Sequence, residues 1–205
     1  EYSYDTNRPQ PVNTPYTVDR MKEVMSNFFV ESYVNNTSTH YYSGVELETA
    51  TCASTDVAEI GFVGRTLLNA FNALEYGAQQ NRADLVDNAN SVFDTYLQNG
   101  FSQAGFFNEV VHYNRISKDP VHSIRRQSEG VYAVLNYLNY EKQQKRKHPE
   151  WEKRIKGILD TFLRLQNADG SFPRKFKDDF SLVDASGGST PSATLPLVMA
   201  YKYFK

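Results

Sequence analysis

Cysteine is nearly absent from this chain, since Cys52 is the single one among 205 residues. One thiol cannot form an internal disulfide, and it cannot build a cysteine-based zinc site. The four histidines show no metal-ligand spacing such as His-x-x-x-His, and the sequence has no glycine-rich phosphate loop. We therefore expect no metal, no nucleotide and no other cofactor.

Long apolar runs and an excess of charge of one sign are also missing. No apolar run approaches the roughly 20 residues that a membrane-spanning helix needs. The 22 Lys and Arg residues nearly balance the 24 Asp and Glu residues, which leaves a net charge of −2. The basic cluster between residues 142 and 156 is diluted by Glu141, Glu150 and Glu152, so it is interpreted as a solvated face. Neither a membrane nor a nucleic acid is expected as a partner.

Aromatic residues are plentiful, with 14 Tyr and 13 Phe against a single Trp. Rings with polar tips suit either buried packing or a sugar-binding surface, and composition does not separate the two. A chain of this length can bury a real core as one domain or as a large piece of one. None of these features sets the oligomeric state.

The first 18 residues have the composition of an extended arm, because Pro9, Pro11 and Pro15 resist helix formation. A helical domain is predicted from residue 19 to residue 205, with Asp19 as the N-terminal cap of its first helix. The last residues run apolar up to Phe204 without a stop signal, so we expect a fragment of a longer chain.

Hydrophobic periodicity predicts five more helical segments after the first helix. The segment near 83–98 and the one that starts at Pro149 each carry a single apolar stripe, so one side of each faces water. Three other segments are apolar on most faces, which indicates burial on more than one side. These are residues 56–76, 123–142 and 190–204.

Striped and buried helices alternate along the chain, and a loop with glycine and aromatic residues follows each striped helix. The first of these loops leads into a short predicted strand at 109–113. The run Asp94–Leu97 matches the run Asp160–Leu163, which gives a weak repeat of roughly 66 residues. Two helix populations need two layers, with the striped helices outside and the buried helices inside. The predicted fold is an all-α double layer of helical hairpins.

The turn after the second striped helix resembles the turn that ends outer helices in the α/α-toroid superfamily. It reads Gln166-Asn167-Ala168-Asp169-Gly170-Ser171-Phe172. That superfamily includes the six-hairpin glycosidases, the polysaccharide lyases, and the terpene-cyclase and prenyltransferase toroids. The resemblance covers about residues 54–205. A toroid of six hairpins needs twelve helices and about six are predicted here, so the resemblance implies half of a toroid or an open array of the same hairpins.

The resemblance also implies where the active site lies: in a cleft lined by the N-terminal ends of inner helices and by the loops before them. Glu129 is the leading catalytic candidate there, with His122, Arg125 and Arg126 beside it as substrate-binding candidates. Desolvation at this place favours the protonated carboxyl that a general acid needs, and the arginines can bind a uronate carboxylate. The competing interpretation is a buried Arg–Glu pair that orders the helix start.

Asp56 and Glu59 are the second pair of catalytic candidates, at the predicted start of the second helix. A carboxylate pair can act as general acid and base on a glycosidic bond. The spacing Asp-x-x-Glu is also that of a capping box, which satisfies free N–H groups at a helix start.

Loop residues complete the candidate substrate-binding set. Phe106, Phe107 and Phe172 follow glycines, so their rings can stack on sugar faces or pack over helix ends. Asp184 precedes the last buried segment and can enter the cleft, with a solvated loop carboxylate as the alternative. Asp169 is interpreted as a turn residue.

The leading functional hypothesis is a carbohydrate-active protein, similar to glycoside hydrolases or polysaccharide lyases, that uses carboxylate acid–base chemistry. The alternative is a non-catalytic helical module that binds a carbohydrate or a protein. A terpene-type toroid is disfavoured because no Asp-rich metal motif is present. From this substrate class and the absence of paired cysteines, we expect the protein in the periplasm or outside the cell.

Overall fold

The computed structural model describes residues 15–34, 40–41, 45–46, 53–54, 57–61, 65–112 and 120–205. The helices are α1 (Val18–Ser32), α2 (Thr66–Gln80), α3 (Ala83–Asn99), α4 (Ile124–Gln143), α5 (Pro149–Leu165) and α6 (Thr190–Phe204). The strands are β1 (Tyr33–Val34), β2 (His40–Tyr41), β3 (Val45–Glu46), β4 (Ala53–Ser54), β5 (Val57–Glu59), β6 (Val110–His112), β7 (Val121–Ser123), β8 (Lys175–Lys177) and β9 (Leu182–Asp184). The predicted arm lies almost wholly outside these residues.

The helices form two layers of hairpins, as predicted. α2 packs on both α3 and α4, and α4 packs on both α5 and α6, so α2, α4 and α6 make up the inner layer. Eleven residues of α4 are buried, including residues on every face, whereas six residues of α5 are buried along one stripe. A helix that is apolar on most faces must be covered on several sides, and α4 meets this requirement by touching three other helices.

Aromatic rings fill the space between the two layers. The ring of Phe93 on α3 stacks on Tyr137 of α4, with centroids 3.9 Å apart. Trp151 at the start of α5 meets the edge of Phe93 at 6.1 Å and approaches Phe107 at 6.5 Å. Such pairs contribute about 0.5–1.5 kcal/mol each beyond the apolar area that they bury. Much of the aromatic surplus in the composition is therefore core.

The predicted bounds agree closely with the structure for α3, α4, α5 and α6, but the second helix is wrong at its start. Residues 57–59 form β5, which pairs antiparallel with β6, and α2 begins only at Thr66. The N–H group of Ile60 extends this pairing by donating to the carbonyl of Glu109 at 3.1 Å. Backbone groups used in this ladder are not available to a helix, so Glu59 cannot be part of a capping box. Asp56 lies outside the described residues.

The two end helices expose more apolar surface than predicted. Leu195, Val198 and Tyr201 of α6 are 54%, 46% and 65% exposed, although this segment was expected to be buried on all faces. The reason is that α6 packs mainly on α4, along one side. α1 likewise exposes Met21 and Phe28, and its N-terminal cap is Thr17 rather than Asp19.

Gly130 allows α4 to approach the strands and loops that precede it. A methyl group at this position would lie 2.8 Å from Ile60 and 2.8 Å from the ring of Phe107. These neighbours are buried and have no room to move. Close packing of β5 and the loop before β6 on α4 thus depends on the missing side chain.

We expect Gly130→Ala to lower the free energy of unfolding by about 1–3 kcal/mol, because the added methyl overpacks the core. Gly157→Ala on α5 is the matched control, since no atom lies within 4 Å of the added carbon there. The control should raise stability by up to about 1 kcal/mol through helix propensity. Urea denaturation of both variants measures the difference, and equal effects would contradict the packing argument.

The turn between α4 and α5 is held by a buried carboxylate. Glu141 accepts hydrogen bonds from Arg146 at 2.7 and 2.5 Å and pairs with His148 at 2.8 Å. Burial by itself raises the pKa of Glu141, but the hydrogen bonds from Arg146 and His148 outweigh burial and hold the pKa below its ordinary value. The ion pair therefore stabilises the folded state when Glu141 is ionised.

Because the folded-state pKa of Glu141 is lowered, its contribution is present above the unfolded pKa of about 4.3 and is lost as the pH falls through the folded value. We expect Glu141→Gln to reduce the free energy of unfolding by about 2 kcal/mol at pH ~7. The difference from wild type should shrink towards pH ~3. Glu75→Gln, on an exposed face of α2, should show neither effect.

Candidate functional site

The loops that precede the inner helices α4 and α6 meet at one end of the hairpins and surround a pocket of about 750 Å³. Ile124 at the start of α4 donates its N–H to the carbonyl of Arg174, and Phe172 donates to the Thr190 hydroxyl at the start of α6. These bonds bring the two helix starts together beside the pocket. It is lined by Glu109, Val121, His122, Ser123, Arg125, Arg126, Arg174, Lys175, Val183, Ser186, Gly188 and Ser189.

The buried side-chain amide of Gln127 joins α4 to the loop that contains Phe107 at this end of the hairpins. Gln127 on α4 accepts from the Phe107 N–H at 3.0 Å and donates to the Phe107 carbonyl at 2.9 Å. The same Gln127 nitrogen donates to Glu109 at 3.1 Å. The side chain thus replaces the partner strand that a buried backbone unit requires. It fixes the loop before β6 against α4.

Glu109 is a buried carboxylate that the sequence reasoning treated only as a strand residue. Its Oε1 accepts the N–H of Ser123 at 2.6 Å, and Arg126 lies 3.9 Å from its Oε2. Glu109 therefore joins the start of β6 to the start of α4. The one signal for Glu109 in the sequence was an isolated Glu before the apolar pair Val110 and Val111. This pattern does not predict which residues bind the carboxylate.

Arg126 of α4 contacts Glu59, which lies on β5 and not at a helix start. The guanidinium of Arg126 donates to Glu59 Oε1 at 3.3 Å, which ties β5 to α4. The backbone N–H of Arg126 is capped by the Ser123 hydroxyl at 3.1 Å. The Glu59 side chain is 16% exposed, and it is linked to the pocket through Arg126, because Glu59 itself is not among the lining residues.

Glu129 lies one turn further along α4, at the edge of a smaller cavity of about 220 Å³. Its Oε1 is 3.1 Å from Arg125 Nε and 3.8 Å from Arg65 Nη2. A side chain at Gly61 would lie 2.5 Å from the Glu129 carboxylate, so the glycine leaves room for it. The Arg125–Glu129 pair separates the two cavities, because Arg125 lines the larger one and Glu129 the smaller one.

His122 is fully buried and anchors a loop instead of facing a ligand. Its Nε2 lies 2.7 Å from Asp178 Oδ1, which also accepts from the Ser102 hydroxyl at 2.9 Å. Its ring packs against Phe106 and Phe176. Within the described residues Nδ1 has no hydrogen-bond partner. The expected direct contact of the His122 side chain with substrate is corrected, because the ring has no exposed surface.

The loop phenylalanines are also buried. Phe106, Phe107 and Phe172 are 1%, 0% and 3% exposed, so stacking on a sugar face is corrected in favour of packing over the helix ends. Phe172 meets the edge of Phe162 on α5. Burial of these rings removes apolar surface from water, so it stabilises the fold more than a solvent-facing position would.

The loop carboxylates form hydrogen-bonded turns. Asp169 accepts from the hydroxyl and the N–H of Ser171, as expected of a turn residue, and these bonds lower its pKa. Asp184 likewise accepts from Ser186, which lowers the pKa of Asp184, and it lies 3.5 Å from Arg174. Asp184 therefore borders the larger pocket through Arg174.

Metal-binding and membrane-spanning features were searched for in the same residue ranges. No group of three or more His, Cys, Asp and Glu side chains there is arranged to hold a metal ion. None of the helices described above is long and apolar enough to cross a membrane.

Several solved structures are similar to this chain. The cellobiose 2-epimerase from Bacillus thermoamylovorans B4167 matches with a TM-score of 0.68 and 14% identity, over 89% of this chain and 49% of that chain. A D-mannose isomerase matches with a TM-score of 0.63 and 12% identity, over 92% and 50%. The cellobiose 2-epimerase from Spirochaeta thermophila DSM 6192 matches with a TM-score of 0.59 and 13% identity, over 93% and 50%. No protein-family model matches the sequence, and no curated protein matches it significantly.

These likenesses establish the fold. The chain has the α/α-toroid fold and spans about half the length of the solved structures that it matches. The partial toroid expected from the sequence is confirmed.

Gln127→Leu tests the buried amide. It leaves the N–H and carbonyl of Phe107 buried without partners, so we expect a loss of about 2–5 kcal/mol in the free energy of unfolding. Asn136→Leu on the same helix is the control, because Asn136 only donates to a carbonyl of its own helix, that of Tyr132. The control should cost less than about 1 kcal/mol by urea denaturation. Comparable losses in the two variants would refute a special role for Gln127.

Proposed function

We propose that this chain is the saccharide-binding half of a carbohydrate-active toroid protein, with the sugar held in the larger pocket. The observation that carries the proposal is the position of a 750 Å³ polar pocket at the N-terminal ends of α4 and α6 in an α/α toroid. This volume lies in the usual range of small-molecule sites. The named enzymes with similar structures are sugar epimerases and a sugar isomerase, which supports a sugar as the ligand.

We assign the acid–base role to Glu129, with Glu59 as its partner. Both carboxylates are partly exposed and both pair with arginine, Glu129 with Arg125 and Glu59 with Arg126. The guanidinium groups hold both carboxylates in place by hydrogen bonds, and a positioned carboxylate suits a base that accepts a proton from water or from a sugar carbon.

The reaction class that we propose is cleavage of a glycosidic bond, by hydrolysis or by lyase-type elimination. Epimerisation or isomerisation of a sugar is the second candidate, favoured by the names of the similar structures. All of these reactions need a positioned base at the sugar. We also propose a periplasmic or extracellular location, which rests on a polysaccharide substrate.

A non-catalytic saccharide-binding module is the alternative from a different class. It is favoured by the pairing of Glu59, Glu109 and Glu129 with arginines, which suits a fixed array of hydrogen-bonding groups as well as it suits catalysis.

Glu129→Gln in the full-length protein separates these possibilities. We expect turnover to fall by at least about a hundredfold, as for loss of a positioned base, while saccharide binding changes only a few-fold. The assay panel follows three products: new reducing ends, unsaturated sugars by ultraviolet absorbance, and altered sugar composition.

Glu75→Gln is the control, because Glu75 is an exposed carboxylate of α2 outside both cavities. Unchanged turnover in Glu129→Gln would remove Glu129 from the mechanism. Saccharide binding without turnover of any substrate by the wild type would favour the binding module.

A further inference from the structure

The larger pocket is unusual in the sign of the charges that line it. Four of its lining residues are basic, and they are contributed by the first turn of α4 and by β8 with the residue before it. The single acidic residue in its lining is Glu109, whose side chain is only 4% exposed and accepts hydrogen bonds from Ser123 and Gln127. A ligand in this pocket therefore meets donors and positive charge.

Two inner helices begin at the same pocket. Ser123 is the N-terminal cap of α4, and Ser189 is the residue before α6. The N-terminal end of a helix carries a partial positive charge and free N–H groups. Both helix ends add to the field of the basic side chains, and no helix C-terminus lies in the lining.

The basic residues differ in how strongly they are neutralised. Arg125 and Arg126 are tied to Glu129 and Glu59 at 3.1 and 3.3 Å. Arg174 is 58% exposed and reaches Asp184 only at 3.5 Å. Lys175 lies opposite Asp184 in the β8–β9 ladder and its charge lowers the pKa of that carboxyl, although no ion pair joins the two within the described ranges. The charge that is open to a ligand is therefore concentrated at Arg174 and Lys175.

We propose that the pocket takes an acidic saccharide, whose anionic group is bound by Arg174 and Lys175. The shared chemistry is a sugar that carries a carboxylate or a phosphate ester. A guanidinium beside an ammonium binds either anion by charge-assisted hydrogen bonds, and the two helix N-termini strengthen the attraction. This inference rests on the proposed function, since it names the substrate class of the same site.

The position of the anion also orients the sugar. With the acidic group at β8, the rest of a saccharide extends along α4 towards Arg125 and the Arg125–Glu129 pair. The smaller cavity lies beyond that pair and is lined in part by Leu68, Leu195 and Pro196, which suits an uncharged sugar face. The candidate base Glu129 then lies between a charged unit and a neutral unit.

The test compares three ligands by isothermal titration on the full-length protein: a hexuronate trisaccharide, a hexose phosphate, and the neutral hexose trisaccharide of matching linkage. Arg174→Gln and Lys175→Gln are the variants. Lys177→Gln is the matched control, because Lys177 is an exposed lysine of the same strand that does not line the pocket.

We expect the wild type to prefer one of the acidic ligands over the neutral one by at least about tenfold, with a preference that weakens at high salt. Each pocket variant should lose about five- to tenfold in affinity for the acidic ligand and little for the neutral one. Lys177→Gln should bind like wild type. The identity of the preferred acidic ligand shows whether the pocket binds a uronate or a phosphorylated sugar.

Equal or tighter binding of the neutral trisaccharide would overturn the acidic substrate class and leave the proposed saccharide site standing. An equal loss in Lys177→Gln would overturn the assignment to Arg174 and Lys175. If none of the three ligands binds, and no product appears in the turnover panel, the proposed function itself fails.

Discussion

The paired hydrogen bonds between the Gln127 amide and the backbone of Phe107 are the constraint on which the site depends. The loop around Phe107 pairs with residues 100–102 on one side, and the N–H and carbonyl of Phe107 need a partner on the other side. Gln127 provides that partner from inside α4, because an amide has the same donor and acceptor as a peptide unit. The ring of Phe107 can then be buried beside Trp151 and Gly130.

Polar contacts spread outward from this point in a definite order. Gln127 also holds Glu109, and Glu109 in turn receives the N–H of Ser123 at the helix start. Arg126 joins that group to Glu59 on β5. The most buried carboxylate is fully engaged in structure, whereas the outer carboxylates retain some exposure. The exposure of these carboxylates thus rises from 4% for Glu109 to 16% for Glu59 and 21% for Glu129.

The direction of the inner helices explains why one end of the hairpins carries the pocket. Inner helices begin there, so their positive ends and the loops before them face a common space. The phenylalanines of these loops and His122 are buried, and basic side chains line the pocket. Basic side chains and serines make up much of the lining, beside the apolar Val121 and Val183.

Local pattern was sufficient for the layer architecture. The single stripe of α5 and the all-round apolar surface of α4 follow from side-chain spacing along one helix, and they determined which helix lies outside and which lies inside. The start of α4 near Ser123 and the start of α5 at Pro149 were predicted from the sequence for the same reason. Capping and proline effects act within a few residues.

Only the tertiary structure decided the contents of the site. β5 forms because residues 57–59 pair with residues 110–112, a partner some fifty positions away that no local spacing reveals. The burial of Phe106 and Phe107, and the engagement of Glu109 by Gln127, likewise depend on which loop reaches which helix. Sequence periodicity reports which face of an element is apolar, whereas hydrogen bonds between distant segments are set by how the layers assemble.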